Sequence, residues 1–318
     1  PSSQFLDLQD FVMAASGDRV ASLCGVQGLL EQILKESFFV YAKRCEGLRQ
    51  RLANVAAARW ASVLHGRSGR HLGLKLPEFV TMMDRSEPYT HSGGTQKSNL
   101  IRNVVHNQAR QYLGCLHQYS RTKLAGALER DSWQQAQVPA AIQRLASRLQ
   151  SDPPEPATDP KEGRAGEGAK ASLEVAGERF RVVPSSLVFV QVASDLALFC
   201  SRAPHLATDV CHRMLDLFKA YNAQCCRLVL GAEAMRTAGL KSISAKHLAM
   251  ACQSVRLLQA LLPGCVASVE RDIPALHRGI IAPQVKSVTR DLCEHHGKLQ
   301  DKLVAIMQGR LAGNLRVL

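Results

Sequence analysis

YNAQCCRLVLGAEAMRTAGLKSISAKHLAMACQSVRLLQ, residues Tyr221 to Gln259, decides the fold, because it reads as two helices folded back on each other. Gly239 follows a helical run and can take the left-handed backbone that closes a helix, which places Met235 and Leu240 where their side chains meet across such a stop. Ser244 is then positioned to accept from the orphan amides of the next helix, with Ile243 and Leu248 at the two ends of a hydrophobic staple. So short a connection predicts antiparallel neighbours.

Working outward, one helix is predicted over roughly Ser186 to Ser201. The next begins between Pro204 and Thr208 and carries Val210, Met214, Leu217, Tyr221, Leu228 and Met235 at helical spacing as far as about Ala238. After the turn the stripe continues through Leu248, Cys252, Val255, Leu258, Leu262, Val266, Val269 and Ile273, with a kink expected at Pro263. Pro274 separates a last helix whose seam is Val288, Leu292, Leu299, Leu303 and Ile306.

Upstream, LEVAGERFRVV alternates apolar and polar residues on both sides of Ala176–Gly177, the pattern of a small β-hairpin that must dock on helices to be stable. Before it, Ser151 to Lys170 holds four prolines, three glycines and no large apolar residue, and reads as a flexible linker.

The first 150 residues also read as helices. Short ones are predicted over Asp7 to Ala15, Pro77 to Asp84 and Ala140 to Leu149. A long amphipathic one runs from the cap Asp18 to His65, which Gly25 and Gly28 could bend or break. Another, Gln96 to Asp131, has Leu100, Val104, Ala109, Tyr112, Leu116, Tyr119, Leu124 and Leu128 on its apolar stripe, and Glu87 to Gly94 is read as a loop. The expected domains are therefore a helical region over 1–150, a Pro/Gly-rich linker over 151–172, and a hairpin followed by a helical bundle over 173–318. The fold class is all-α, elongated antiparallel bundles with one small β-hairpin.

A chain of 318 residues, 46% of them hydrophobic, can bury a substantial core. Its ten cysteines show no CxxC spacing and read as reduced thiols, mostly buried, which points to the cytosolic side. No signal-peptide or lipidation pattern is written in it. Leu187 to Cys200 is interrupted by Gln191, Ser194 and Asp195 before reaching spanning length, so it reads as a core helix. The net charge of +13 is spread out: residues 1–150 hold 19 Lys and Arg against 11 Asp and Glu, and residues 173–318 hold 18 against 11. The densest basic patch is Lys43, Arg44, Arg49, Arg51, Arg59, Arg67 and Arg70. The helix bearing Lys43, Arg44, Arg49, Arg51 and Arg59 is the candidate surface for an acidic partner or membrane, set against the plainer reading of a solvated face.

Catalytic signatures fail on inspection. SGGTQKS at Ser92 to Ser98 has Gln96 where a phosphate loop needs glycine, and GRAGEG at Gly163 to Gly168 lies in the linker. Cys293, Glu294, His295 and His296 are consecutive, so on a helix they fan apart; the expectation is Cys293 near the core and the histidines near water. No cofactor, metal or small-molecule substrate is expected, and an interaction or scaffolding role is favoured over an enzyme. A basic nucleic-acid-binding or acidic-membrane-binding scaffold is the alternative, with no recognised binding motif to carry it.

Three stretches carry a resemblance. SRTKLAGALERDSWQQAQVP from Ser120, CRLVLGAEAMRTAGLKSISAKHLA from Cys226 and GKLQDKLVAIMQGRL from Gly297 are similar, in that order, to the vacuolar protein sorting-associated protein fifty-four family, subunits of the Golgi-associated retrograde protein (GARP) tethering complex. The resemblance implies a helical rod of the tethering-complex kind. It implies partners among other vacuolar protein sorting subunits, SNAREs and endosomal or Golgi membrane surfaces, and a cytosolic position, peripheral on trans-Golgi network and endosomal membranes. No nucleic acid partner is implied. In that family an N-terminal coiled coil is associated with assembly and the C-terminal part with vesicle targeting. This chain, which starts at Pro1 and runs helical to its end, is read as the central to C-terminal part, truncated.

Overall fold

The computed structural model describes residues 20–91, 98–151, 170–231 and 243–315. Among them are nine α-helices: α1 Val20–Gly66, α2 Ser68–His71, α3 Leu76–His91, α4 Ser98–Glu129, α5 Ala140–Gln150, α6 Pro184–Arg202, α7 Ala207–Val229, α8 Ala245–Glu270 and α9 Ala275–Leu315. One antiparallel hairpin pairs β1 Leu173–Val175 with β2 Glu178–Phe180. The chain is all-α with one small hairpin, as its periodicity predicts. The helix expected over Asp7 to Ala15 and the linker 152–169 lie outside the described residues.

The chain divides into two compact units, 1–63 with 89–101, and 64–88 with 102–318. Residues 64–88 and 102–150 of the expected helical region thus fall in the second unit with the bundle expected over 173–318, and α5 packs there on α6 and α8. In the first unit α1 runs on through Gly25 and Gly28 without breaking, and its described side chains become buried only near its end, at Ala61.

The second unit has an aromatic corner and a helical core. Phe79 of α3 stacks on Tyr112 of α4 at 3.8 Å between ring centroids, and both lie near Phe199 of α6. The buried Gln108 of α4 donates to the Leu64 carbonyl at 2.6 Å, alongside the Arg67 amide at 3.3 Å, and meets His71 Nδ1 at 2.9 Å. α3 continues through Pro88 to His91, into the expected loop; a proline deletes one amide, yet its fixed φ is itself helical. In α4 the buried stripe is Ile101, Val105, Ala109, Tyr112, Leu113 and Leu116, whereas Leu100 and Tyr119 are exposed. The predicted stripe was one residue off at its N-terminal end, since two adjacent apolar rows run along this helix and only a neighbour chooses between them.

The hairpin forms where predicted. Ala176 (φ 51°) and Gly177 (φ 78°) both take the left-handed backbone of a primed turn, whose twist matches the strands. It docks on α5 through Gln143, which donates to the Glu174 carbonyl at 2.7 Å and accepts the Glu174 amide at 2.9 Å.

α6, α7, α8 and α9 supply most of the core, with Phe189, Phe218 and Tyr221 packed edge to face. α6 and α8 are long and apolar enough to cross a membrane, yet 50% and 56% of their most apolar windows are buried inside the fold, so here they are core helices. α7 ends at Val229, well short of Ala238, and so is on the order of 35 Å long. The stop is Gly231: its amide reaches back to the Cys226 carbonyl at 3.2 Å, and a Cβ there would sit 2.5 Å from the Arg227 carbonyl oxygen. Met235, Gly239 and Leu240 lie outside the described residues. The other half of the predicted turn is present. Ser244 Oγ accepts the His247 amide at 3.4 Å, and His247 Nδ1 accepts the Ser244 amide at 3.2 Å, a reciprocal cap in which histidine does the work usually given to glutamate. Ile243 is half-buried and Leu248 fully buried.

Candidate interaction surface

Lys43, Arg44, Arg49, Arg51 and Arg59 are all exposed on α1, but they do not form one cationic face. Successive residues turn by about 100°, which puts Arg44 and Arg51 together on one flank of a line of apolar side chains, Arg49 on the other flank, Arg59 on the line and Lys43 behind it. Arg49 is paired with Glu46 at 2.5 Å and holds that carboxyl below its usual range. Arg51 Nε donates to the Gly47 carbonyl at 3.3 Å, and Lys43 Nζ lies 6.0 Å from the Phe39 ring centre. The apolar line itself is open to solvent: Phe38 is 63% exposed, Tyr41 63%, Leu48 53%, Leu52 71% and Val55 49%. Of the large apolar side chains exposed among the described residues, most lie on α1. A stripe at helical spacing was legible in the sequence; that no described residue covers it was not.

The polar groups elsewhere are spent on structure. On the surface of α4 and α7, His117 Nε2 and Arg121 meet Asp216 Oδ2 at 3.0 and 3.1 Å, while Arg213 donates to His117 Nδ1 at 3.3 Å. With Nδ1 accepting from a guanidinium, His117 is neutral and donates from Nε2; burial and Arg213 outweigh Asp216 and lower its pKa. Two shallow clefts of about 290 and 370 Å³ lie along α7. The first is lined mainly by apolar side chains with Arg121 and Gln224, and the second by Lys219, Asn222, Asp291, Glu294, His295 and Lys298.

His295 corrects a sequence expectation: it is 4% exposed and belongs to the α9 seam with Val288, Leu292 and Leu299, whereas Cys293 faces solvent. Its Nδ1 donates to Asn222 Oδ1 at 2.6 Å, fixed because the Asn222 amide donates to the Asp291 carbonyl, and its Nε2 is walled off from solvent. It is therefore a packed imidazole and not a free base. No three His, Cys, Asp or Glu side chains among the described residues stand close enough to hold a metal.

Burial, reinforced by Lys298 and His296, pushes the His295 pKa down to about 4. A histidine depressed on folding contributes stability that is complete above its unfolded pKa, about 6.5, and lost as pH falls toward 4. Urea midpoints measured from pH 7 to 4 are expected to fall for the native chain, and His295→Leu should flatten that fall. An unchanged profile in the variant would show that this ring does not titrate on unfolding.

The fold and its surfaces define an all-α protein with a packed helical core and an uncovered helix face. Residues 177–310 match the family model described as Vps54-like protein. Vacuolar protein sorting-associated protein 54 of human is 30% identical over 234 residues, covering 72% of this chain and 24% of that protein; the rat protein of that name is 27% identical over 302 residues, covering 90% and 30%. The Drosophila melanogaster protein is 26% identical over 239 residues. Residues 177–310 thus carry a likeness to the Vps54-like family, and the chain spans about a third or less of the length of these relatives. No solved structure matches it.

Proposed function

We propose that this chain is part of a non-catalytic subunit of a vesicle-tethering complex, acting in retrograde transport from endosomes to the trans-Golgi network. The observation that carries the reading is the family match over 177–310, which falls on the α6 to α9 core. Tethering requires no bond chemistry; it requires stiff helices and contact surfaces set apart along them, and packed helices supply both. In this reading the chain sits on the cytosolic face, peripheral on trans-Golgi network and endosomal membranes. Its partners are other vacuolar protein sorting subunits, and it acts ahead of SNARE-mediated fusion.

Co-expression with the other tether subunits tests it. The chain is expected to co-purify with them and to locate to the trans-Golgi network. Failure to do either, together with RNA or DNA binding that weakens steeply with salt, would replace the reading with a nucleic-acid scaffold.

A further inference from the structure

The uncovered line on α1 has a particular spacing. Leu34, Phe38, Tyr41, Cys45, Leu48, Leu52 and Val55 are separated alternately by four and three residues, the repeat that keeps one seam facing a second helix through a left-handed supercoil. All seven are exposed. From Ala42 to Arg59 every large apolar side chain falls on this seam, which makes the stripe narrower than the broad face of a helix lying in a membrane. Leu30, Ile33, Phe39 and Val40 widen it, all at its N-terminal end.

The flanks are basic. Arg44 and Arg51 occupy the position just before each core pair, and Lys35 and Arg49 the position just after, with Ser37, Ala42 and Ala56 filling the others. No acidic residue stands at any of these places. In a parallel pairing with a second copy, Arg44 would face Arg49 of the partner; in an antiparallel one Arg44 and Arg51 would face their own kind. Like charges at these positions disfavour both.

We propose that α1 is one strand of a heterotypic coiled coil, and that its seam takes an amphipathic helix from another polypeptide whose flanking positions carry Asp and Glu. The inference stands on the seam and its flanks, not on the tethering reading: the chain could fail to join a tether and still bind such a helix.

The test uses the full 318-residue chain and two labelled peptides of about four heptads with leucine and isoleucine cores, one with Glu at every flanking position and one with Lys. By fluorescence anisotropy the Glu peptide is expected to bind at least about 10-fold tighter than the Lys peptide. Leu48→Asp with Leu52→Asp should abolish that binding at an unchanged unfolding midpoint, since both side chains are solvent-exposed. Arg44→Glu, Arg49→Glu and Arg51→Glu together should reverse the preference, a gain that misfolding cannot imitate. Three results would overturn the proposal: no binding of either peptide; dimerisation of the chain through the seam, seen by sedimentation and lost in the Leu48 and Leu52 variant; or binding to phosphatidylserine vesicles in preference to the Glu peptide, lost in the same variant.

Discussion

Asp131→Ala is expected to destabilise the fold by about 3 kcal/mol or more. Asp131 is 1% exposed. Its Oδ1 accepts the Trp133 amide at 2.8 Å, and its Oδ2 accepts the Ser185 amide at 2.9 Å. The first bond is a local turn, and it holds Trp133, itself fully buried, in the left-handed backbone (φ 55°) that a large side chain adopts only under constraint. The second satisfies an orphan amide in the first turn of α6, where a carboxylate also meets the positive end of the helix dipole. One side chain thus fixes the exit of α4 to the entry of α6 across 54 residues. Burial raises its pKa, and the bonds from Ser185 and Trp133 counter that rise only in part. Alanine leaves both amides dry and unpaired, at roughly 1–3 kcal/mol each. Urea unfolding measures the loss, and Asp131→Asn, which keeps one acceptor, should fall between the two. A midpoint for Asp131→Ala equal to that of the native chain would mean that the bridge does not hold these helices.

Gly264→Ala comes second, at about 2–3 kcal/mol, through close packing and not through polarity. α8 passes the end of α5 so closely that a Cβ at 264 would fall on the Leu149 carbonyl oxygen and within 2.8 Å of the Gln150 amide carbon. A backbone oxygen at a helix end cannot step aside, so the two helices must part. Gly297 in α9 is the control, because a Cβ there meets nothing within 4 Å. Gly297→Ala should be neutral or stabilising by up to about 1 kcal/mol, since alanine restricts the unfolded chain and favours helix. If both substitutions lower the urea midpoint equally, helix propensity and not the approach of α5 would be the cause.

Both effects were invisible in the sequence, for one reason. DSWQQAQVP could be recognised as a motif, but the amide that Asp131 accepts lies beyond the linker; Gly264 beside Pro263 reads as a weak point in a helix, whereas it is a contact. Tyr221 was placed correctly on a core stripe, yet its bonds to Ser185 and Ser186, at 3.2 and 3.0 Å, and the Ser186 bond to Ser254 at 3.2 Å, join three helices that no local pattern relates. The errors share this origin only in part. Leu100 against Ile101 in α4 is a choice between adjacent rows of a helix that the neighbouring helix makes, whereas His295 stands between Leu292 and Leu299 at helical spacing and was legible as part of their seam. The overlong α7 was a second such error, since Gly231 was there to be read as a stop.

The sequence by itself determined eight of the nine described helices in outline, the primed turn at Ala176–Gly177 and the Ser244 cap, because caps, turns and helical periodicity are chemistry between residues no more than about four apart. Only the tertiary structure decided which apolar row of each helix is covered, which carboxylate bridges two of them, and that the row on α1 faces water. Burial and hydrogen bonding of that kind depend on neighbours tens of residues distant along the chain.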